Sequence, residues 1–329
     1  MECPVCNDYI NGDESFLNHH VNSHYETASQ QQSQKSSNPA ESSKEPHLAK
    51  GTNGNRLEFP KPKLNTVLID QLKILIESSE EEDSVVYFCH PATKHISYDK
   101  RDTSWGCGYH NLQMVLSCLL AMEEFDLNLK SMPDVHQLQQ LLEHAWEAGF
   151  DTEGAAQLGN HVVGTKTWIG ATEVYCILSY LGVRCLVTDF YKYTGENNTH
   201  PAVLDWVENY FGASDETTSK ALNKSGTRHR VVITKKPPLY LQHQGHSRTV
   251  VGIEKQANGA RNLLLFDPGN RPPRNLASVK GKDVHEAMSL FRCSLRQLSK
   301  NRQYQIVNID TSRSPVHQSQ KIIRSTRIP

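Results

Sequence analysis

The stretch Asp102-Thr103-Ser104-Trp105-Gly106-Cys107-Gly108-Tyr109-His110-Asn111 decides how this sequence is read. One cysteine stands between two glycines, and a helical run from Asn111 to Ala121 begins just after it. Small neighbours let a substrate backbone come close to the sulfur. The N-terminus of a helix favours a thiolate and lowers the pKa of the cysteine beside it. The segment reads as the home of a catalytic cysteine, against the plainer reading of a buried cysteine in a tight turn.

A cysteine nucleophile needs a base. His246 is the candidate, in Gln242-His243-Gln244-Gly245-His246-Ser247-Arg248, just before a β-branched run over 249–254. A second such run covers 262–267, and Asn258-Gly259 between them is a hairpin signal. A hairpin centred near residue 257 or 258 pairs Asp267 close to Arg248 and sets it beside His246. A carboxylate in that place orients an imidazole. Gln242, Gln244 and His246 share parity, so a strand aims all three one way. One glutamine, Gln242 or Gln244, then supplies the amide donor of an oxyanion hole. His243 stays open as the base, and Asp267-Pro268-Gly269 also reads as a plain turn.

The rest of the body supports these motifs. Leu64, Val67, Leu68, Leu72, Leu75 and Ile76 share one helical face. Further helices are expected from Val135 to Trp146, capped by Asp134 and closed by Gly149, and from Val174 to Leu181. Others are expected over 201–211, with proline first, and over about 283–298. Strands are expected over 85–89, 183–190, 231–234, 239–243 and 304–309 besides the hairpin. Helices first and a largely antiparallel sheet later give an α+β class.

Three segments separate by composition. Residues 1–25 carry paired Cys and His, 26–63 are low in complexity, and 64–329 form the globular body. Residues 26–55 hold four apolar side chains and no aromatic, too few to offset their ordering entropy, so the middle segment reads as a flexible linker. The longest nearly apolar run, Val115 to Met122, is far short of a bilayer span. The opening Met1-Glu2-Cys3-Pro4 does not resemble a signal peptide, and an intracellular protein with reduced, metal-bound or catalytic cysteines is expected. The net charge of −1 offers no strong field for nucleic acid. The end from Arg292 to Pro329, with eight bases and one acid, reads as a solvated face and a loose tail.

In the first segment Cys3-x2-Cys6 precedes His20-x3-His24, with His19 as the other choice of third ligand. A two-residue cysteine knuckle and two histidines one helical turn apart close a tetrahedral zinc shell, and so short a segment has no other source of stability. Residues 1–25 contain no Arg or Lys, while Asp8, Asp13 and Glu14 make the finger acidic. Phosphate is repelled, and a protein partner is favoured over DNA. Leu17-Asn18-His19-His20-Val21-Asn22 resembles the pattern of small ubiquitin-binding zinc fingers.

The body resembles a papain-like cysteine peptidase family. That family contains the zinc-finger-containing ubiquitin peptidases and the peptidases specific for the ubiquitin-fold modifier. The resemblance lies in Trp105-Gly106-Cys107-Gly108-Tyr109, in the stretch from Tyr240 to Val250 and in Asp267-Pro268-Gly269. It extends to Ala145-Trp146, Gly164-Thr165-Lys166 and Trp168-Ile169-Gly170-Ala171. It implies a papain-like fold and a deubiquitinase that cuts within long lysine-63-linked chains, in nucleus and cytoplasm, with a role in genome maintenance. Polyubiquitin and ubiquitinated proteins are the implied partners. Residue by residue, Cys107 matches the nucleophile, His246 the base, Asp267 its orienter and Gln242 the oxyanion donor. Asp151 and Glu173 match acidic positions that hold the arginines of ubiquitin's C-terminal tail; alternatively Asp151 is a loop residue and Glu173 a favourable first-turn charge. In the modifier-specific branch the catalytic histidine follows the proline of Asp-Pro-His. Here Gly269 holds that place, which favours ubiquitin as substrate.

Overall fold

A computed structural model of the chain describes residues 68–329, apart from 82, 128, 130, 213–228, 274, 282, 312–315, 317 and 329. The expected finger and linker, and the zinc ligands Cys3, Cys6, His20 and His24 with them, lie outside the described residues.

The chain begins with α1 (Leu68–Glu77), which buries Leu68, Ile69, Leu72, Leu75 and Ile76 along one stripe. Strand β1 (Ser84–Phe88) follows and buries alternate side chains. Helix α2 (Cys107–Leu119) is buried on every side. It starts at the cysteine itself, one turn earlier than periodicity suggested, because the first turn is too polar to register as an apolar stripe. Helix α3 (Val135–Glu147) is capped as expected: Gln137 N–H donates to Asp134 and Asp134 N–H donates back to Gln137, both at 2.8 Å. Gly149, at φ +90°, ends it. The short α4 (Thr152–Gln157) gave no sequence signal, and α5 (Ala171–Tyr180) follows. Then come β2 (Cys185–Phe190), α6 (Pro201–Gly212), β3 (His229–Ile233), β4 (Leu239–His243), β5 (His246–Gln256) and β6 (Arg261–Phe266).

The helix expected over about 283–298 is two helices with a strand between them: α7 (Asp283–Ser289), β7 (Arg292–Ser294) and α8 (Leu295–Leu298). The free edge of β6 is the reason. Leu263 pairs with Cys293, and Leu265 N–H donates to Phe291 carbonyl at 2.8 Å. Strand β8 (Tyr304–Ile309) then returns to the sheet. The described part of the basic end is not a loose tail. Strand β9 (Ser325–Ile328) pairs in parallel with β2, and Lys321 Nζ lies 5.7 Å from the Phe150 ring centre.

The nine strands found among the described residues form one sheet, ordered β3-β1-β5-β4-β8-β2-β9, with β6 and β7 continuing from β5. Two pairings, β1 with β3 and β2 with β9, are parallel, and the others are antiparallel. The fold is α+β, with most of the helices preceding a largely antiparallel sheet. One core lies between the sheet and α1 and α6; another gathers α2, α3 and α5 against β2 and β8. Helix α2 packs on β5 and β4, which brings the first turn of one against the first residues of the other.

Candidate active site

Cys107 is the first residue of α2, at the positive end of the helix, and only 7% of it is exposed. The flanking glycines are small for internal reasons. A Cβ at Gly106 would sit 2.9 Å from the Asp102 carbonyl, and one at Gly108 would collide with Ile169. They fix the pose of the cysteine by close packing, where the sequence suggested substrate access.

Asn111, one turn into α2, ties the cysteine to the sheet. Its Nδ2 donates to the Cys107 carbonyl at 2.9 Å and to the Ser247 carbonyl at 2.8 Å. Its Oδ1 accepts from Thr249 Oγ1 at 2.8 Å. Ser247 follows His246, so this fully buried amide holds the nucleophile's helix and the histidine's strand in register.

His246 opens β5, and Asp267 follows the last residue of β6. Thr249 faces Phe266 in the ladder, which puts Arg248 beside Asp267, the pairing expected from a turn near 257 and 258. His246 Nε2 bonds Asp267 Oδ2 at 2.9 Å. The same oxygen accepts from Arg248 Nε at 2.8 Å, and Asp267 Oδ1 accepts from Gly269 N–H at 2.8 Å. With Nε2 engaged, Nδ1 is the nitrogen of His246 left for Cys107, which is among the groups that raise the imidazole pKa.

Electrostatics follow from these contacts. Burial opposes charge on Asp267, yet His246, Arg248 and the Gly269 N–H outweigh it and hold the carboxyl well below the usual range. Burial likewise opposes charge on His246, but its bonds to Asp267 and Cys107 raise its pKa to about 9. For Cys107 burial is again overcome, by His246 and by hydrogen bonds from Ser247, and the thiol is lowered. All six described cysteines are free. Burial raises the pKa of the other five: Cys89, Cys118, Cys176, Cys185 and Cys293. Cys107 alone among them is set up as a thiolate.

The alternative base, His243, has a different environment. Its Nδ1 donates to the Gln244 carbonyl at 2.9 Å, and burial with the nearby Arg248 and His246 lowers its pKa to about 4. The shared-parity argument for Gln242, Gln244 and His246 does not hold. Gln244 and Gly245 form a two-residue turn, with φ +75° at Gly245. His243 therefore pairs with His246, and Gln242 with Ser247. Gln242 is buried; its Oε1 accepts from Tyr240 OH at 3.0 Å and its Nε2 donates to the His243 carbonyl at 2.8 Å. One Nε2 proton is left. Gln244 is exposed, at the turn.

Asp151 and Glu173 lie on the helical side. Asp151 adopts the left-handed region, φ +42°, and caps α4 by accepting from Gly154 N–H at 3.3 Å. Its own N–H donates to the Lys321 carbonyl at 2.9 Å. Glu173 is buried in the first turn of α5, where it accepts from Gly170 N–H at 2.7 Å and Thr172 Oγ1 at 2.8 Å. Burial raises both pKa values, and the charge of Asp151 pushes Glu173 further up. Among the described residues neither carboxylate pairs with a lysine or arginine.

Four residues that shape the site were not found from sequence. Asn111 had a signal, its place one helical turn after the cysteine. Tyr98 had none: burial and the nearby Cys107 and Asp267 push its phenol up, and its N–H donates to the Pro268 carbonyl at 3.0 Å. The Asp102–His110 pair, 2.9 Å apart and buried, braces the turn that leads into α2. Among the described residues no cluster of three or more His, Cys, Asp or Glu could hold a metal ion. Nor does any helix there have the length and apolarity to cross a membrane.

Comparison with known proteins adds to this geometry. The model of peptidase family C78 matches residues 82–307. The zinc finger-containing ubiquitin peptidase 1 of Macaca fascicularis is 44% identical over 244 residues, 71% of this chain and 40% of that protein. Its Homo sapiens counterpart is 44% identical over 220 residues, 66% of this chain and 36% of that protein. The ubiquitin carboxyl-terminal hydrolase mug105 of Schizosaccharomyces pombe is 33% identical over 233 residues, 69% of this chain and 84% of that protein. The crystal structure of UfSP from C. elegans aligns with a TM-score of 0.41 and 16% identity, over 68% of this chain and 34% of that one.

Proposed function

The chain belongs to peptidase family C78, and on that footing we propose that it is a cysteine peptidase that hydrolyses the isopeptide bond behind the C-terminal glycine of ubiquitin. The observation that carries the reading is the Cys107–His246–Asp267 constellation, in which His246 bonds Asp267 at 2.9 Å and, of the six described thiols, that of Cys107 is lowered.

In this mechanism the Cys107 thiolate attacks the carbonyl carbon of the terminal glycine. The carbonyl oxygen takes the negative charge, held by the remaining Nε2 proton of Gln242 and a backbone N–H at the start of α2. The His246 imidazolium gives its proton to the lysine amine as the carbon–nitrogen bond breaks, leaving a thioester on Cys107. The neutral imidazole then draws a proton from water, and the hydroxide displaces the thiolate to release the carboxylate product. Asp267 fixes the histidine ring and steadies its charged form. Asp151, backed by Glu173, presents unpaired negative charge on the nucleophile's side, suited to the arginines of ubiquitin's tail.

The modifier-specific alternative is addressed by position 269. A Cβ there would lie 3.2 Å from Asp267 Oδ1 and 3.6 Å from the Tyr98 ring, so a histidine at that position would stand against the Oδ1 oxygen of the carboxylate whose Oδ2 His246 holds. Gly269 leaves that place empty, and His246 serves Asp267 from the strand. The relatives named for ubiquitin support the same choice.

The preference for long lysine-63-linked chains, the genome-maintenance role and residence in nucleus and cytoplasm rest on the family resemblance. So do polyubiquitin and ubiquitinated proteins as partners. A structural zinc ion on Cys3, Cys6, His20 and His24 is supported by the ligand spacing and by the relatives' name. No catalytic step runs through it. Hydrolysis of a ubiquitin C-terminal aminocoumarin amide tests the proposal. The protein should turn it over with Cys107→Ala and His246→Ala each reduced by about 10³-fold or more. Activity that survives either change would refute the mechanism.

A further inference from the structure

Next to the catalytic carboxylate the surface sinks into a depression of about 280 Å³, lined by His243, Arg248, Asp267, Arg292, Cys293 and Lys300 among others. It begins close to the base, since the rings of His243 and His246 are 5.8 Å apart and His243 and Asp267 both line it. Its charge is positive. Asp267 is shared between His246 and Arg248, at 2.9 and 2.8 Å. Arg292 is matched by Glu81 and Glu254, both at 2.7 Å. Lys300 is exposed and makes no ion pair among the described residues. Lys300 and Arg248 line the depression together with the buried Cys293, whose thiol both cations pull down against the effect of burial. His243 lines the depression with its Nδ1 proton already used on the Gln244 carbonyl and its Nε2 buried.

The chemistry fixes which part of a substrate meets this depression. The acyl half becomes bonded to Cys107. The acidic Asp151 and Glu173 lie on that side, because Gly108 packs against Ile169 just ahead of α5. The leaving amine takes its proton from His246 Nδ1, so the acceptor chain stands at the His246 end of the site, where the depression opens beyond the neighbouring ring of His243. The site therefore carries opposite charges at its two ends, acidic for the tail and basic for the acceptor.

We infer that this depression is a leaving-group subsite, in which Lys300 and Arg248 receive carboxylate side chains that flank the modified lysine of the acceptor. The inference rests on the proposed peptidase function. Acceptors with Asp or Glu near the lysine are cut in preference to acceptors with neutral flanks, and the preference weakens as salt screens an exposed pair.

The test uses the full chain and two ubiquitin–peptide isopeptide conjugates that differ only in Glu against Gln on either side of the lysine. The native protein should show a kcat/KM for the acidic conjugate about twofold to fivefold higher, the size of one exposed charge pair. Lys300→Ala should bring the ratio near one, and Lys300→Glu should reverse it. Taking a ratio on each variant cancels differences in folded fraction. Equal rates on both conjugates in the native protein, or a preference that survives Lys300→Glu, would overturn the subsite. Turnover of the aminocoumarin amide, which has no acceptor chain, reads the parent function separately: no turnover there overturns the peptidase reading, and this inference with it.

Discussion

Replacing Asn111 with alanine should separate the two halves of the active site without touching a reacting group. Its amide makes buried hydrogen bonds to the Cys107 carbonyl, the Ser247 carbonyl and hydroxyl, and the Thr249 hydroxyl. Truncation leaves the Ser247 carbonyl and Thr249 hydroxyl facing a small void, at about 1–3 kcal/mol for each buried group left unpaired. A total loss of about 2–4 kcal/mol follows, which lowers Tm by roughly 5–15 °C for a domain of this size. Chemistry should suffer beyond stability, because α2 and β5 lose the tie that sets Cys107 against His246. A shift of about 1 Å between them costs on the order of 10²-fold in rate. The assay pairs a thermal melt with the rate of labelling by a ubiquitin activity probe at 25 °C, where the variant remains folded. Ser247→Ala, which removes the 3.1 Å contact to Asn111 together with a hydroxyl that helps lower the Cys107 thiol, should barely change the melt and should slow labelling less than Asn111→Ala. A variant that melts early yet labels at the native rate would refute the positioning argument. One that melts and labels like the native protein would refute the staple altogether.

Asp267→Asn should keep the fold and lower kcat by orders of magnitude, with the aminocoumarin assay as the check. The pH profile gives the sign of the coupling: activity requires ionised Cys107 and protonated His246, so it rises through the lowered thiol pKa and falls as pH passes about 9. Asparagine removes the carboxylate that raises His246, so the alkaline limb should move to lower pH, and an unmoved limb would contradict the assignment. Asp151→Asn should raise KM for ubiquitin substrates more than it lowers kcat; the reverse split would place Asp151 outside tail recognition. Removing residues 1–63 should spare a one-ubiquitin probe, because Cys107, His246 and Asp267 all lie in the body, and should slow the cleavage of long chains, where a second ubiquitin-binding module adds avidity through effective concentration. Zinc chelation should reproduce that split, and equal loss on both substrates would show that the N-terminal segment supports the catalytic body instead.

The parts of this molecule that sequence disclosed share a cause: each depends on residues close along the chain. The hairpin register that sets Asp267 beside Arg248 follows from strand lengths around Asn258-Gly259, and the cap of α3 from Asp134 and Gln137. What stayed hidden depends on edges and close approach. No periodicity foretells that the rim of β6 captures Arg292–Ser294 and breaks a helix in two, or that β9 returns to pair with β2. Parity misled across Gln244-Gly245, because a two-residue turn reverses the chain and pairs His243 with His246. Gly106 and Gly108 were recognised as special, but the reason is tertiary: the Asp102 turn and Ile169 leave no room for a side chain. Asn111 and Tyr98 act through neighbours more than 130 residues away, Ser247 and Pro268.

On the proposed function Cys107 is a nucleophile built for ubiquitin. Reaction of the purified protein with ubiquitin and ubiquitin-fold-modifier activity probes, side by side, followed by mass spectrometry of the adduct, tests it most directly. A ubiquitin adduct on Cys107, little or none with the modifier probe, and no adduct in Cys107→Ala are expected. Reaction with the modifier probe alone, or a ubiquitin adduct on Cys89 or Cys118, would contradict it.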